Sequence, residues 1–158
     1  MKTLESHINE ALKIGKNISK FSTYSYKPNT KQELKKIVNE RIDNDGPDCD
    51  LNDIDTSIIT DMSGLFCRTG RSAFNGDISK WNVSNVESMA DMFNKSRFTG
   101  DITNWDVSKV RYMGWMFAYS NFDGDLSKWN VDNNCMTGNM FYECPIKNEH
   151  KPLLLQLL

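Results

Sequence analysis

From Phe74 to Phe93 the chain reads FNGDISKWNVSNVESMADMF, and from Phe98 to Phe117 it reads FTGDITNWDVSKVRYMGWMF. The second copy starts 24 residues after the first. A repeat at this spacing constrains the fold more than any local propensity, because one short unit cannot close a core and must share it with its neighbours. In the same register a third copy, FDGDLSKWNVDNNCMTGNMF, opens at Phe122, and a diverged copy, DLNDIDTSIITDMSGLF, runs from Asp50 to Phe66. An insertion of three residues near GRS separates that first unit from the regular period. Four units therefore fill roughly residues 48–145, and they are numbered one to four in chain order below.

Each apolar column of the repeat has a packing role. The opening aromatics are Phe74, Phe98 and Phe122, with Ile146 where a fifth unit would begin. Leu51, Ile78, Ile102 and Leu126 form the next column, followed by Ile54 with Trp81, Trp105 and Trp129, and by Thr56 with Val83, Val107 and Val131. Ile59/Val86/Val110, Met62/Met89/Met113, Leu65/Met92/Met116/Met140 and Phe66/Phe93/Phe117/Phe141 complete the set. Within a unit the period changes. GDISKW alternates as a short strand does, whereas VESMADMF places Val86, Met89, Met92 and Phe93 on one face of a short helix, with Ser84 and Glu87 as its capping box. The expected fold class is an α/β repeat: a leucine-rich-repeat-like solenoid of four strand–turn–short-helix units with an N-terminal helical cap.

The flanks supply covers for the ends of such a stack. In TKQELKKIVNERIDNDGP, Thr30 and Glu33 form a capping box, and Leu34, Ile37, Val38 and Ile42 form the apolar stripe. Gly46 and Pro47 stop that helix. A weaker helix is expected over Leu4–Ile14, and IKNEHKPLLLQLL is expected to fold back over unit four. The organisation is then a helical region and cap over 1–46, a repeat region over 47–146 and a cap or tail over 147–158.

The pattern F-x-G-D-[IL]-[ST]-x-W-[ND]-V-[SD] followed by M-x-x-M-F, met over about 48–146, resembles the BspA-like surface-protein repeats, which also occur in mycoplasma lipoproteins. That resemblance implies a leucine-rich-repeat solenoid used for adhesion or binding. Unit four departs from the pattern, with Asn134 and Thr137 in the Val and Met columns, and reads as a degenerate end unit.

Charge excludes little and favours nothing exotic. The net charge of −2 gives no whole-chain field toward nucleic acid or an anionic membrane. Residues 1–46 carry nine Lys/Arg against six Asp/Glu, and residues 47–145 carry eight against fourteen. There is no apolar run of a signal peptide or a membrane span, so cytoplasm is the expected compartment and Cys49, Cys67, Cys135 and Cys144 are expected to be thiols. The histidines, His7 and His150, lie in the two flanks outside any catalytic motif, and no phosphate loop is present. No catalytic residue, cofactor or metal site is assigned. Asp50, Asp77, Asp101 and Asp125 share one column, where a calcium site and a carboxylate accepting turn N–H groups are the two readings, and the turn is favoured.

The informative departures lie at the polar positions of the second half-unit. Unit two has Ser88, Asp91 and Lys95, whereas unit three has Tyr112, Trp115 and Tyr119. Unit one has Asp61, Gly64 and Arg68, and unit four has Met136, Asn139 and Glu143. On a helix the spacing 112, 115, 119 puts three aromatics on one face, away from the core. Exposed Tyr and Trp on a rigid frame are interface anchors, so these three are the candidate partner-binding residues. The alternative is that the tail, the GRS insertion or the N-terminal region covers them. The reading of the whole is a non-catalytic recognition module with a protein as partner and with no nucleic-acid or membrane role. A phage-encoded or virion-associated structural protein and a self-assembling structural protein are the alternatives.

Overall fold

The computed structural model describes residues 24–67 and 71–156. The expected helix at Leu4–Ile14 lies outside them, as do His7 and Arg68. Helix α1 spans Lys31–Asp45. Thr30 opens it, its hydroxyl accepting from the Glu33 N–H at 3.2 Å. The Glu33 carboxylate accepts from the Asn29 N–H at 2.7 Å, so the reciprocal bond falls one residue ahead of the cap. Gly46 ends the helix with φ at 90° and its N–H on the Ile42 carbonyl. Leu34 and Val38 are fully buried against unit one, with Ile37 and Ile42 packed beside them. Ion pairs Arg41–Asp53 and Lys31–Asp61 join α1 to unit one, and Arg71–Asp43 joins it to the segment entering unit two. Such partly exposed pairs fix orientation more than they stabilise.

The eight apolar columns are buried as expected apart from the half-buried Phe141, but the local structure differs from the expectation. The leucine-rich-repeat-like α/β solenoid is not what the chain forms: among the described residues α1 is the sole α-helix, and strand pairing is limited to isolated parallel bridges. These link Tyr26 to Ile54, and Asp61 to Ser88 to Tyr112 to Met136 in turn. GDISKW bends after Ile78, where the Trp81 N–H closes a turn on the Ile78 carbonyl. VESMADMF is a run of overlapping turns, Met92 on Met89, Asn94 on Asp91 and Ser96 on Phe93. Ser84 does not cap it; its hydroxyl donates to Asn82, and the Glu87 N–H goes to the carbonyl of Thr60.

The physical reason is a left-handed residue at every fourth position. Asp91 and Lys95 have φ of 58° and 56°, and Trp115 and Tyr119 have 59° and 55°. A right-handed helix cannot continue through such residues. The N–H groups that a helix would use internally turn to the next unit instead. Met89, Asp91, Phe93 and Lys95 donate to the carbonyls of Tyr112, Gly114, Met116 and Ala118 at 2.8–3.0 Å. The turn run nonetheless buries positions spaced by three and four, which is why its sequence reads as helical.

Between units the contacts are aromatic. Phe66, Phe93, Phe117 and Phe141 stack in succession at centroid separations of 5.6, 5.4 and 5.7 Å. Phe74, Phe98 and Phe122 form a second stack at 6.1 and 6.3 Å. Each Trp donates its indole N–H to a carbonyl of the unit before: Trp81 to Leu51, Trp105 to Ile78 and Trp129 to Ile102. The Phe ring of F-x-G-D folds over its own glycine, and at Gly76 the Cys49 carbonyl lies closer still, 1.9 Å from an added Cβ. A Cβ on Gly100 would lie 2.7 Å from the ring of Phe98. Beyond unit four, single-turn 3₁₀ helices at Asn148–His150 and Leu153–Leu155 bring Leu155 into the core, and the His150 carbonyl accepts from the Leu126 N–H at 2.8 Å.

Candidate recognition surface

The turn run of each unit projects residues outward at fixed columns. One column is the bridge position Asp61, Ser88, Tyr112, Met136. Another is the left-handed position Gly64, Asp91, Trp115, Asn139, and a third contains the left-handed residues Lys95, Tyr119 and Glu143. Backbone, not helix geometry, therefore sets the direction of the candidate residues. Tyr112, Trp115 and Tyr119 are 48%, 40% and 46% exposed, and no described segment covers them.

The structure adds a fourth aromatic that the sequence reading missed. Tyr142, 47% exposed, lies between Trp115 and Tyr119, with ring centroids at 6.1 and 5.3 Å and steep interplanar angles of 60° and 75°. It occupies the column of Asn94 and Ala118, so comparing that column across units would have found it. The Lys95 ammonium sits 5.1 Å from the Tyr119 ring centroid, which extends the patch toward unit two. Tyr112 stands apart from these rings and instead borders an open depression of about 530 Å³. Arg111, Met136, Glu87, Asp132 and Asn134 share its rim. Met136 is 64% exposed there. Asn134, exposed where Val86 and Val110 are buried, leaves that part of unit four without its apolar side chain.

Asp50, Asp77, Asp101 and Asp125 each accept from the N–H two residues on, at 2.8–2.9 Å. Those N–H groups, of Ser79 for Asp77 and Thr103 for Asp101, hold both carboxyls below the usual range. Among the described residues no group of His, Cys, Asp and Glu is arranged to hold a metal ion. His150 Nδ1 is 3.4 Å from the backbone carbonyl of Asp123. Burial, with Asp132 nearby, pushes the Cys135 thiol up to about 11, and burial raises Cys144 and Cys49 as well. Such thiols are poor nucleophiles at neutral pH. No helix among the described residues is long and apolar enough to cross a membrane.

No curated protein and no solved structure matches the chain. The model of the family described as "Mycoplasma protein of unknown function, DUF285" matches residues 32–152. That span opens inside α1, takes in all four units and ends in the tail, and the chain belongs to this family.

Proposed function

We propose that the protein is a non-catalytic recognition module that binds a protein partner through the aromatic face of units three and four. Tyr112, Trp115 and Tyr119 carry the contact, and the Tyr142 ring packs against both Trp115 and Tyr119. The observation that supports this most is the conformation of Trp115 and Tyr119. Both hold large exposed rings on left-handed backbone, at columns where the neighbouring unit places Asp91 and Lys95. A non-glycine residue there carries a cost, and an exposed aromatic gives nothing back to the core. Aromatic anchors on a fixed frame instead lower the ordering cost of binding. The likeness of the repeats to BspA-like surface proteins, with the adhesion or binding it implies, points the same way.

The test is the triple exchange Tyr112→Ser, Trp115→Asp and Tyr119→Lys, which installs the residues of unit two. Stability should stay within about 1 kcal/mol, because Asp91 and Lys95 already hold these backbone angles. Capture of a partner by the immobilised chain should weaken by about 2 kcal/mol or more. Capture that persists undiminished sinks the proposal.

A further inference from the structure

In units two and three the turn run offers its N–H groups at every second residue to the following unit. Met113, Trp115, Phe117 and Tyr119 donate to the carbonyls of Met136, Gly138, Met140 and Tyr142 at 2.8, 3.0, 2.9 and 2.8 Å. The corresponding donors of unit four are Thr137, Asn139, Phe141 and Glu143. Among the described residues nothing accepts from these four N–H groups. The row is nevertheless fully formed. Asn139 and Glu143 keep the left-handed angles, 54° and 52°, and the overlapping turns Met140 on Thr137, Tyr142 on Asn139 and Cys144 on Phe141 all close.

Among the described residues the tail makes its backbone bond at the other half of this end. His150 accepts from Leu126, and Leu155 packs into the core. Over the turn run the Lys151 ammonium sits 5.9 Å from the Phe141 ring centroid, and no described tail residue accepts from the four N–H groups. Phe141 is half-buried where Phe93 and Phe117 are fully buried, so the ring stack ends with one face partly open.

We infer that this edge is a docking site for a polypeptide segment of a protein partner, which lies along unit four as unit four lies along unit three. The inference rests on the reading of the chain as a recognition module and names how the partner attaches. The interior of the molecule shows the complementary surface: backbone carbonyls at every second residue and an aromatic ring stacked on Phe141. Main-chain bonding of this kind supplies affinity without a fixed partner sequence, while side-chain contacts supply selectivity. A second copy does not fit the role. Its matching acceptors would be the carbonyls of Asp61, Ser63 and Leu65 in unit one, at the end where α1 buries Leu34 and Val38. The edge adjoins Tyr142 and Met136, so one partner segment on the edge would also reach the aromatic face.

The experiment uses the full chain and a synthetic peptide of residues 86–96, VESMADMFNKS, as a stand-in for the partner segment. With the peptide at about 1 mM, amide hydrogen exchange at Thr137, Asn139, Phe141 and Glu143 should slow by about tenfold or more. The same peptide with Phe93→Asp should give no slowing. Unchanged exchange at the four amides overturns the inference, as does equal protection by the Asp peptide. Protection of these amides by self-association of the free chain, rising with its concentration, also overturns it and assigns the edge to a second copy. Partner capture that depends on Tyr112, Trp115 and Tyr119 while the four amides stay unprotected removes the edge and leaves the aromatic face standing.

Discussion

Replacing a charged surface residue by glycine normally weakens a protein, yet Glu143→Gly should stabilise this one. Glu143 is exposed, has φ at 52° and makes no side-chain hydrogen bond or ion pair among the described residues. Left-handed backbone costs a non-glycine residue about 1–2 kcal/mol. Glycine removes that cost but adds freedom to the unfolded chain, worth about 0.4–1 kcal/mol in the opposite sense. The net gain is about 0.5–1 kcal/mol, or a rise of about 1–4 °C in Tm for a chain of this size. Gly64 supplies the mirror experiment. It sits at the equivalent left-handed position of unit one with φ at 64°, and a Cβ there would meet only Cys67 Sγ at an ordinary 3.6 Å. Gly64→Ala should therefore cost about 0.5–1 kcal/mol from backbone alone. Urea unfolding followed by circular dichroism measures both. A destabilised Glu143→Gly together with a neutral Gly64→Ala would refute the claim that left-handed turns, rather than helices, build the second half of each unit.

Further outcomes follow from the same structure. Met89→Ala and Met113→Ala, each at fully buried sites, should lower unfolding free energy by about 2–5 kcal/mol, and small losses at both would contradict the shared core. The depressed carboxyls of Asp77 and Asp101 bind protons less readily folded than unfolded. Their contribution is thus present above the ordinary carboxylate range and lost as pH falls, so Tm should drop between about pH 5 and pH 2. A flat acid profile would argue against the turn bonds. If the Asp column serves turns alone, EDTA or calcium at about 1 mM should leave Tm unchanged, whereas a calcium-dependent rise of several degrees would reveal a site.

Sequence carried the parts of this fold that depend on which side chains are buried. The Phe, Trp and Met columns were legible because a shared core requires the same residue type at each unit. Helix α1 was legible because Thr30 and Gly46 mark its ends chemically. The class of local structure was not, because overlapping turns and a short helix bury residues at the same spacings. One signal was present: the left-handed column holds Gly64, Asp91 and Asn139, residue types that tolerate that conformation, but Trp115 disguises it. Comparing units at the columns of Ser88, Asp91 and Lys95 finds Tyr112, Trp115 and Tyr119, whereas Tyr142 lies in the column of Asn94 and Ala118, outside those three. The row of N–H groups on unit four has no side-chain signature at all, being a property of backbone without a neighbour.

The ties between units also set how the chain must assemble. The bond from Thr99 to Asn75 spans 24 residues, that from Trp105 to Ile78 spans 27 and that from Trp81 to Leu51 spans 30. Each added unit therefore closes a loop of nearly the same length, and loop-closure entropy changes only slowly with length. No single distant encounter gates the reaction. Folding is expected to start at whichever adjacent pair meets first and to lengthen from there in either direction. The rate then follows this modest, uniform separation, and a chain with one whole period removed should fold at about the same speed.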